Sequence, residues 1–361
     1  MDKLTRRGFA AGALALGAAG PAWGRCRIRR PDMWHPGIAL DHAVQEIYPG
    51  TLNDRVYLAG GLSAEVENSN GISDRLLIGD LGPRVGSTDG AISLRLNEAC
   101  YSPIWRRGTS LPEPRHHPNV VGHLGLVYAI GGFQAANGGR WSMLTNNTRY
   151  NPASDSWTEM AGMPLPYGET VAVSLPSGIH VATGRQPNRR TNANWRDHGD
   201  VGSHYVYDAD EDRWRDAAPN PNPRNSAAGG VLNGRLHILG GRAVNGGNLA
   251  HHEAYDPSSD SWTPRAPLPQ ASGGLAAAVV REKLYAFGGE YFGAGGGGVY
   301  KECWIYDPQT DDWTAGPDMA TPRHGLGGVA LDGKVFAIGG ATRAGGNGTS
   351  DLVEVLMTTG E

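Results

Sequence analysis

An all-β chain folded as a six-bladed propeller is what this sequence predicts, and two repeating signals with one kind of turn carry the prediction. Double glycines fall at Gly60-Gly61, Gly131-Gly132, Gly240-Gly241, Gly288-Gly289 and Gly339-Gly340, with Gly184-Arg185 as a degraded sixth. Trp105, Trp157, Trp214, Trp262 and Trp313 keep step with them at a spacing of about 50 residues. Short polar turns such as Tyr255-Asp256-Pro257 stand between an apolar strand and the strand that each Trp opens. A period of about 50 residues has room for four strands, which is one blade.

Residues 251–290 hold one whole unit: a strand into Tyr255-Asp256-Pro257, a tight turn, Trp262, a Pro-rich crossing, an alanine-rich strand, and Leu284-Tyr285-Ala286-Phe287 stopping at Gly288-Gly289. With glycine pair, Tyr-Asp-Pro and Trp in that order, the chain resembles the kelch-repeat β-propellers over about residues 31–356. The resemblance speaks to fold because it repeats. It does not decide function, since one fold hosts unrelated activities. A Trp recurring once per blade reads as packing: burying one removes roughly 150–250 Å² from water, a gross gain of about 4–6 kcal/mol. An isolated four-stranded sheet is marginal alone, so blades must stack.

The ends carry two further expectations. Thr5-Arg6-Arg7-Gly8-Phe9, the weakly apolar run Ala10 to Ala19, and Ala22-Trp23-Gly24 read as a twin-arginine export signal over residues 1–24. The propeller then spans 25–361 in a periplasmic or secreted protein. The apolar run is too short to span a bilayer, so no membrane span is expected in the mature chain. The last repeat has Gly339-Gly340 and a strand at 351–356 but no tryptophan. Trp34, followed by Leu40 to Val44, has the missing outer-to-inner order, so the N-terminal strand is predicted to complete the last blade. In the first blade about 20 surplus residues lie between Leu62 and Ala91 and read as a long loop with one short strand.

Composition narrows the partners. Glycine (54) and proline (24) suit a turn-dense β chain of 361 residues without a collagen period. A net charge of −4 predicts neither a nucleic-acid footprint nor a pull towards anionic membranes. Cys26, Cys100 and Cys303 are odd in number and lack CxxC spacing, against a disulfide scaffold or a zinc site. Gly293 to Gly298 has no Lys-Ser/Thr after it, and Asp208, Asp210 and Asp212 lack the rest of a calcium loop, so neither a metal nor a cofactor is implied.

The connections divide by rim. Turns such as Leu232-Asn233-Gly234-Arg235 and Asn151 to Ser156 are minimal and share one rim. The loops after the glycine pairs and the crossings after each Trp share the other, with Arg, His, Asn, Trp and Tyr; scaffolded loops carry function. Arg115-His116, Arg224-Asn225, Arg323-His324 and Asp41-His42 precede innermost strands at equivalent places. They are expected to ring the central funnel with donors for a carboxylate or a polyhydroxylated ligand, the alternative being structural pairing between blades. Glu169, Glu290 and His324 are the candidate catalytic residues, the two carboxyls serving as an acid/base pair if they lie close, and otherwise as solvated loop carboxylates. Arg185, in place of a second glycine, opens a flap (186–200) in which Trp195 and His198 with Asn and Arg suit a sugar ring. His116-His117 and His251-His252, as neighbours on strands, should point apart and not chelate.

The kelch resemblance implies three functions. Exported kelch propellers that interconvert sialic acid anomers are distantly similar, and imply a sugar or sugar acid in the funnel with isomerase-type chemistry. Kelch propellers that grip a partner protein with the same rim imply an interaction module as the alternative. The central domain of copper-dependent galactose oxidases is similar too, but needs a Cys-Tyr crosslink that Cys100 and Cys303 do not suit. The expectation is therefore a small-molecule or glycan binder.

Overall fold

The computed structural model describes residues 33–66, 70–81, 102–136 and 139–358. The export-signal expectation, Cys26 and Cys100 lie outside the described residues. Six four-stranded antiparallel sheets are arranged as blades, and the one helical turn among the described residues is Trp195–Asp197.

The first blade takes Gly50–Leu52, Arg55–Ala59, Leu76–Leu81 and Pro103–Gly108, inner to outer. Blades two to five begin on Asn119–His123, Val171–Leu175, Ala228–Leu232 and Ala276–Val280. They end on Ser156–Met160, Arg213–Asp216, Ser261–Pro264 and Asp312–Ala315. The sixth joins Gly327–Leu331, Lys334–Ile338 and Val353–Met357 to Trp34–Pro36, with Trp34 opposite Leu356. The N-terminal strand therefore closes the ring, which leaves no edge there.

The first blade corrects one expectation. Leu76–Leu81 is its third strand, paired along Arg55–Ala59, and not part of a long loop. Its alternating partners bury Leu76, Leu77 and Ile78 completely. The surplus therefore falls between the third and fourth strands, where residues 82–101 lie outside the described residues.

Each of the six interfaces between neighbouring blades holds one buried apolar cluster, such as Tyr57, Val120, Val127 and Tyr150 between the first and second. Stacking thus buries what a single blade would expose. Inner strands approach until only glycine fits: a Cβ on Gly50 would lie 2.1 Å from the Val120 carbonyl oxygen. Beneath the loop rim the axis keeps a hollow of about 80 Å³, bordered by Tyr48, Asn119, Thr170 and Leu326.

The repeated tryptophans do more than fill space. Each indole N–H donates to the carbonyl four residues beyond the Trp of the preceding blade: Trp157 to Thr109 (2.7 Å), Trp214 to Ala161 (2.9 Å), Trp262 to Ala218 (2.7 Å) and Trp313 to Ala266 (2.8 Å). Trp34 to Pro317 (2.9 Å) and Trp105 to Ile38 (3.1 Å) complete the circuit. In four blades a left-handed Asp in the turn before Trp accepts the amide of the same clamped residue: Asp155 from Thr109, Asp212 from Ala161, Asp260 from Ala218 and Asp311 from Ala266. Tyrosine hydroxyls (Tyr150, Tyr207, Tyr255, Tyr306) bind those carboxylates at 2.5–2.7 Å. At the closing interface the clamped residue is Pro317, which has no N–H to satisfy.

Two buried histidine pairs, His180 with His204 and His237 with His252, each at 2.9 Å, pack against Tyr255-Trp262 and Tyr306-Trp313 of the next blade. Burial first, then the partner ring, pushes His180 and His237 down to about 3. Burial likewise brings His204 and His252 to about 4.

Two predictions follow from these bonds. Replacing Trp34 by Phe keeps most apolar contact and loses the Pro317 bond, so denaturant unfolding should show a loss of about 1 kcal/mol. Trp34→Ala should cost about 3–5 kcal/mol, and an unaltered midpoint would refute the closure role. The lowered histidines bind protons only once the chain unfolds, whose imidazoles titrate near 6.5. Their stabilisation is complete above about pH 6.5 and is lost as pH falls towards 4. Tm should therefore decline across that window; a flat Tm from pH 7 to 4.5 would contradict the burial.

Candidate functional site

Six equivalent bridges join each crossing to the residue just after each glycine pair: Gln45–Leu62, His116–Phe133, Gly168–Arg185, Asn225–Arg242, Gly273–Glu290 and His324–Ala341. The next residue of each crossing is left-handed: Glu46 (φ 57°), His117 (56°), Glu169 (51°), Ser226 (50°), Gly274 (65°) and Gly325 (56°). Backbone bonds link these residues about the axis, including His117 N–H to Glu46 O (2.9 Å), Glu46 N–H to Gly325 O (2.7 Å) and Gly325 N–H to Gly274 O (2.8 Å). Left-handed geometry costs a non-glycine residue about 1–2 kcal/mol. Four such residues at one hub are a concentration of strain of the kind found at functional sites.

Their side chains form one polar lattice. His117 Nε2 lies 2.8 Å from Glu46 Oε2 and 3.7 Å from Glu169 Oε1. Its Nδ1 meets His116 Nδ1 at 2.6 Å, and His116 Nε2 meets the Arg140 carbonyl at 2.6 Å. A carbonyl only accepts, so His116 donates through Nε2, its Nδ1 accepts from His117, and His117 turns its other nitrogen to the two carboxylates. Glu169 also pairs with Arg185 (3.5 Å), whose guanidinium lies 4.1 Å from the centre of the Trp195 ring. Across the axis Glu290 accepts from Arg242 Nη1 (2.6 Å) and from the Gly345 amide (2.7 Å), and its Oε2 is 3.4 Å from His324 Nδ1.

Charge is shared through this lattice. Burial works against ionised Glu46, yet the charge and bond of His117, with His324 and Arg242, hold its carboxyl well below the usual range. Burial also opposes the Arg242 guanidinium, but Glu290, Glu169 and Glu46 outweigh it and raise its pKa. Burial, then Glu169 and Glu46, raises the Tyr48 phenol well above normal. Burial and His117 push His116 down to about 3, and burial and Arg185 bring His198 to about 4. The reachable charged side chains are Arg242 and Glu46, 19% and 16% exposed.

A family model described as "KLHDC2/KLHL20/DRC7 Kelch-repeats domain" matches residues 193–361. Kelch-like protein terF of Aspergillus terreus is 28% identical over 263 residues, 70% of this chain and 55% of that protein. Kelch-like protein 35 of Mus musculus is 30% identical over 165 residues, covering 45% and 25%. The chain thus spans about half or less of these relatives' length. The solved structure of YjhT superposes with a TM-score of 0.70 at 15% identity, covering 88% of this chain and 95% of that one. This chain is a six-bladed kelch-repeat propeller.

The kelch register sorts the expected residues. Arg115, Arg224 and Arg323 do not reach the funnel; all three are fully buried inside their blades. Arg323 bonds Gly339 O (2.6 Å), Leu352 O (2.8 Å) and Glu354 (2.8 Å), and Arg224 bonds Ile238 O (3.1 Å) and Glu253 (2.6 Å). Arg115 bonds Asn146 O at 3.1 Å. The guanidinium answers carbonyls at the end of the second strand and just before the third, and elsewhere Ser272 binds Gly288 O after the second strand and Tyr167 binds Ser203 O within the third. Asn225 holds Asp200 (2.6 Å), and buried His198 holds Asn192 (3.0 Å), within the flap.

Glu169 and Glu290 do share the mouth, both within electrostatic reach of Arg242. His324 joins them, His116 backs His117, and Trp195 is 37% exposed on the flap. His42 instead pairs with Asp41 (2.6 Å), away from this lattice. Two local readings change. Bridge register puts Thr183 and Gly184 in the glycine-pair places, so Arg185 follows the pair as Arg242 and Glu290 do. His116 and His117 meet because His117 is left-handed, not on a strand. Glu46, His117, Ser226 and Arg242 were missed by the sequence reading. Stepping the repeat alignment one residue past each Arg-His or Arg-Asn pair finds His117 and Ser226, and reading the residue after every glycine pair finds Arg242; Glu46 follows Gln45, where no such pair marks the crossing.

Arg323→Ala leaves Glu354 buried without its cation, so it should destabilise by about 3–5 kcal/mol in a denaturant melt. An unchanged melt would return Arg323 to the funnel.

Proposed function

We propose that the loop-rim mouth binds a small polyhydroxylated ligand of the carbohydrate or sugar-acid class. The observation that carries this reading is the convergence of Glu46, His117, Glu169, Arg242 and Glu290 on the axis beside exposed Trp195. Burying ions costs several kcal/mol each, so such a lattice is weak evidence for stability and better evidence for a site. Arginine and carboxylate offer donors and acceptors for hydroxyls, while the indole offers a stacking face. Isomerase-type chemistry at a sugar's anomeric centre would draw on Glu46 as proton acceptor, with buried His117 behind it holding that carboxylate. An exported location, as the leader suggests, would expose the mouth to glycans outside the cytoplasm.

A second reading, docking of a partner protein, draws on Tyr291 and Phe292, the latter 62% exposed, on the glycine-rich hairpin Glu290–Gly293 and Gly296–Val299. Broad exposed aromatics suit such docking better than a pocket. Its test is whether Tyr291→Ser/Phe292→Ser leaves sugar binding intact.

A calorimetric screen of galactose, glucose, galacturonate, glucuronate and N-acetylneuraminate tests the first reading. At least one should bind, and Arg242→Ala should weaken it about tenfold or more. Silence across the panel, or indifference to Arg242→Ala, would overturn the reading.

A further inference from the structure

Two guanidiniums of the hub stand in matching surroundings. Arg185 and Arg242 hold the same bridge position in neighbouring blades. Each is paired with a buried carboxylate, Arg185 with Glu169 at 3.5 Å and Arg242 with Glu290 at 2.6 Å. Each also meets an aromatic ring: Trp195 lies 4.1 Å from the Arg185 guanidinium, and Phe292 lies 5.9 Å from that of Arg242. Trp195 is 37% exposed and Phe292 62%. From the buried side towards solvent, both walls therefore run carboxylate, guanidinium, aromatic. They belong to one mouth, since Glu169 acts on both guanidiniums and these act on each other.

Both rings are set in place by the backbone that bears them. Alternation along Glu290–Gly293 puts Glu290 and Phe292 on one face of their hairpin. Tyr291 is on the other face, its ring 5.0 Å from that of Tyr300. The Phe292 face is turned to the axis, because Glu290 on it bonds Arg242 of the fourth blade and the Gly345 amide of the sixth. The Asn248 side chain fixes the base of the hairpin, donating to Glu290 O at 2.6 Å. On the other wall Asp197 holds the turn that bears Trp195. It accepts from the amides of Ala193 (3.1 Å) and Asn194 (2.9 Å) and from Thr191 Oγ1 (2.8 Å). Arg185 bonds Trp195 O at 2.5 Å. Groups positioned in advance cost little further ordering when a ligand arrives.

Resting on the carbohydrate reading above, we infer that the mouth takes the end of a glycan chain, with the terminal unit between the hub's charged groups and Trp195 and the next unit against Phe292. The charged floor and one aromatic serve a single ring, whose hydroxyls need donors and acceptors and whose C–H face is apolar. Phe292 lies beyond that need. It stands on the axis-facing side of its hairpin yet is the more exposed of the two rings, so a ligand must extend outwards to cover it. Covering it removes apolar area from water without asking for further polar partners. A docked protein would draw on both faces of the hairpin, whereas a glycan in the mouth reaches only the face of Phe292.

The test sets monosaccharides against longer sugars that end in them, by calorimetry on the full chain: galactose against lactose, glucose against maltose, galacturonate against digalacturonate and N-acetylneuraminate against sialyllactose. The longer partner should bind about tenfold tighter or more. Phe292→Ser should bring it down to the affinity of its monosaccharide. Tyr291→Ser, on the other face of the hairpin, should keep the gain, which separates contact with Phe292 from a general loosening of the hairpin. A longer partner that binds where its monosaccharide is silent, and that fails in Phe292→Ser, upholds the inference equally. Equal affinity at both lengths, a gain that survives Phe292→Ser, or a gain lost alike in Tyr291→Ser overturns it and leaves a monosaccharide site standing. If no sugar of either length binds, the inference falls together with the carbohydrate reading.

Discussion

The architecture depends on one repeated bond, the indole N–H of each blade given to a backbone carbonyl of the blade before. Apolar burial alone would let neighbouring blades slide, since dispersion has little direction. A hydrogen bond of fixed length to one carbonyl sets the stagger, and six in a closed circuit set it consistently. The Asp that accepts the clamped residue's amide, itself held by a Tyr hydroxyl, turns the contact into a two-point grip. At the closing interface the grip reduces to one point, with proline at the clamped position where a second bond is not available.

With stagger set at the periphery, the crossings arrive at the axis in register, and their left-handed residues link into a hub. This is where the fold spends stability. Four non-glycine residues are strained there, and three carboxylates and two guanidiniums are largely withdrawn from water. Blades two, four and six hold another set of arginines, but those answer carbonyls within the blade and leave the hub's charges to separate residues. The hub is lopsided: acids and histidine on one side, glycines, Arg242 and His324 on the other. That asymmetry gives a ligand both a floor and walls.

Much of this was legible beforehand. Blade number, the order of strands, the closing role of Trp34 and the contrast between rims all follow from repeats and turn chemistry. Glu169 and Glu290 were anticipated at one mouth, and each acts electrostatically on Arg242. The funnel-lining role of Arg115, Arg224 and Arg323 was not fulfilled. One residue of register separates a side chain aimed at the axis from one turned into the blade, and propensity does not resolve that step. His116 and His117 show the same limit, because the alternation rule for strands fails once one residue turns left-handed.

What the sequence determined by itself is periodic: a local pattern of glycine pairs, Tyr-Asp turns and tryptophans recurs because each blade must solve the same packing problem. What only the tertiary structure decided is the content of the hub. There Glu46, His117, Glu169, Arg242, Glu290 and His324 come from crossings and loops of different blades, far apart in the chain. Their contacts depend on backbone handedness and on the closure of the whole ring, and neither is written in any single stretch.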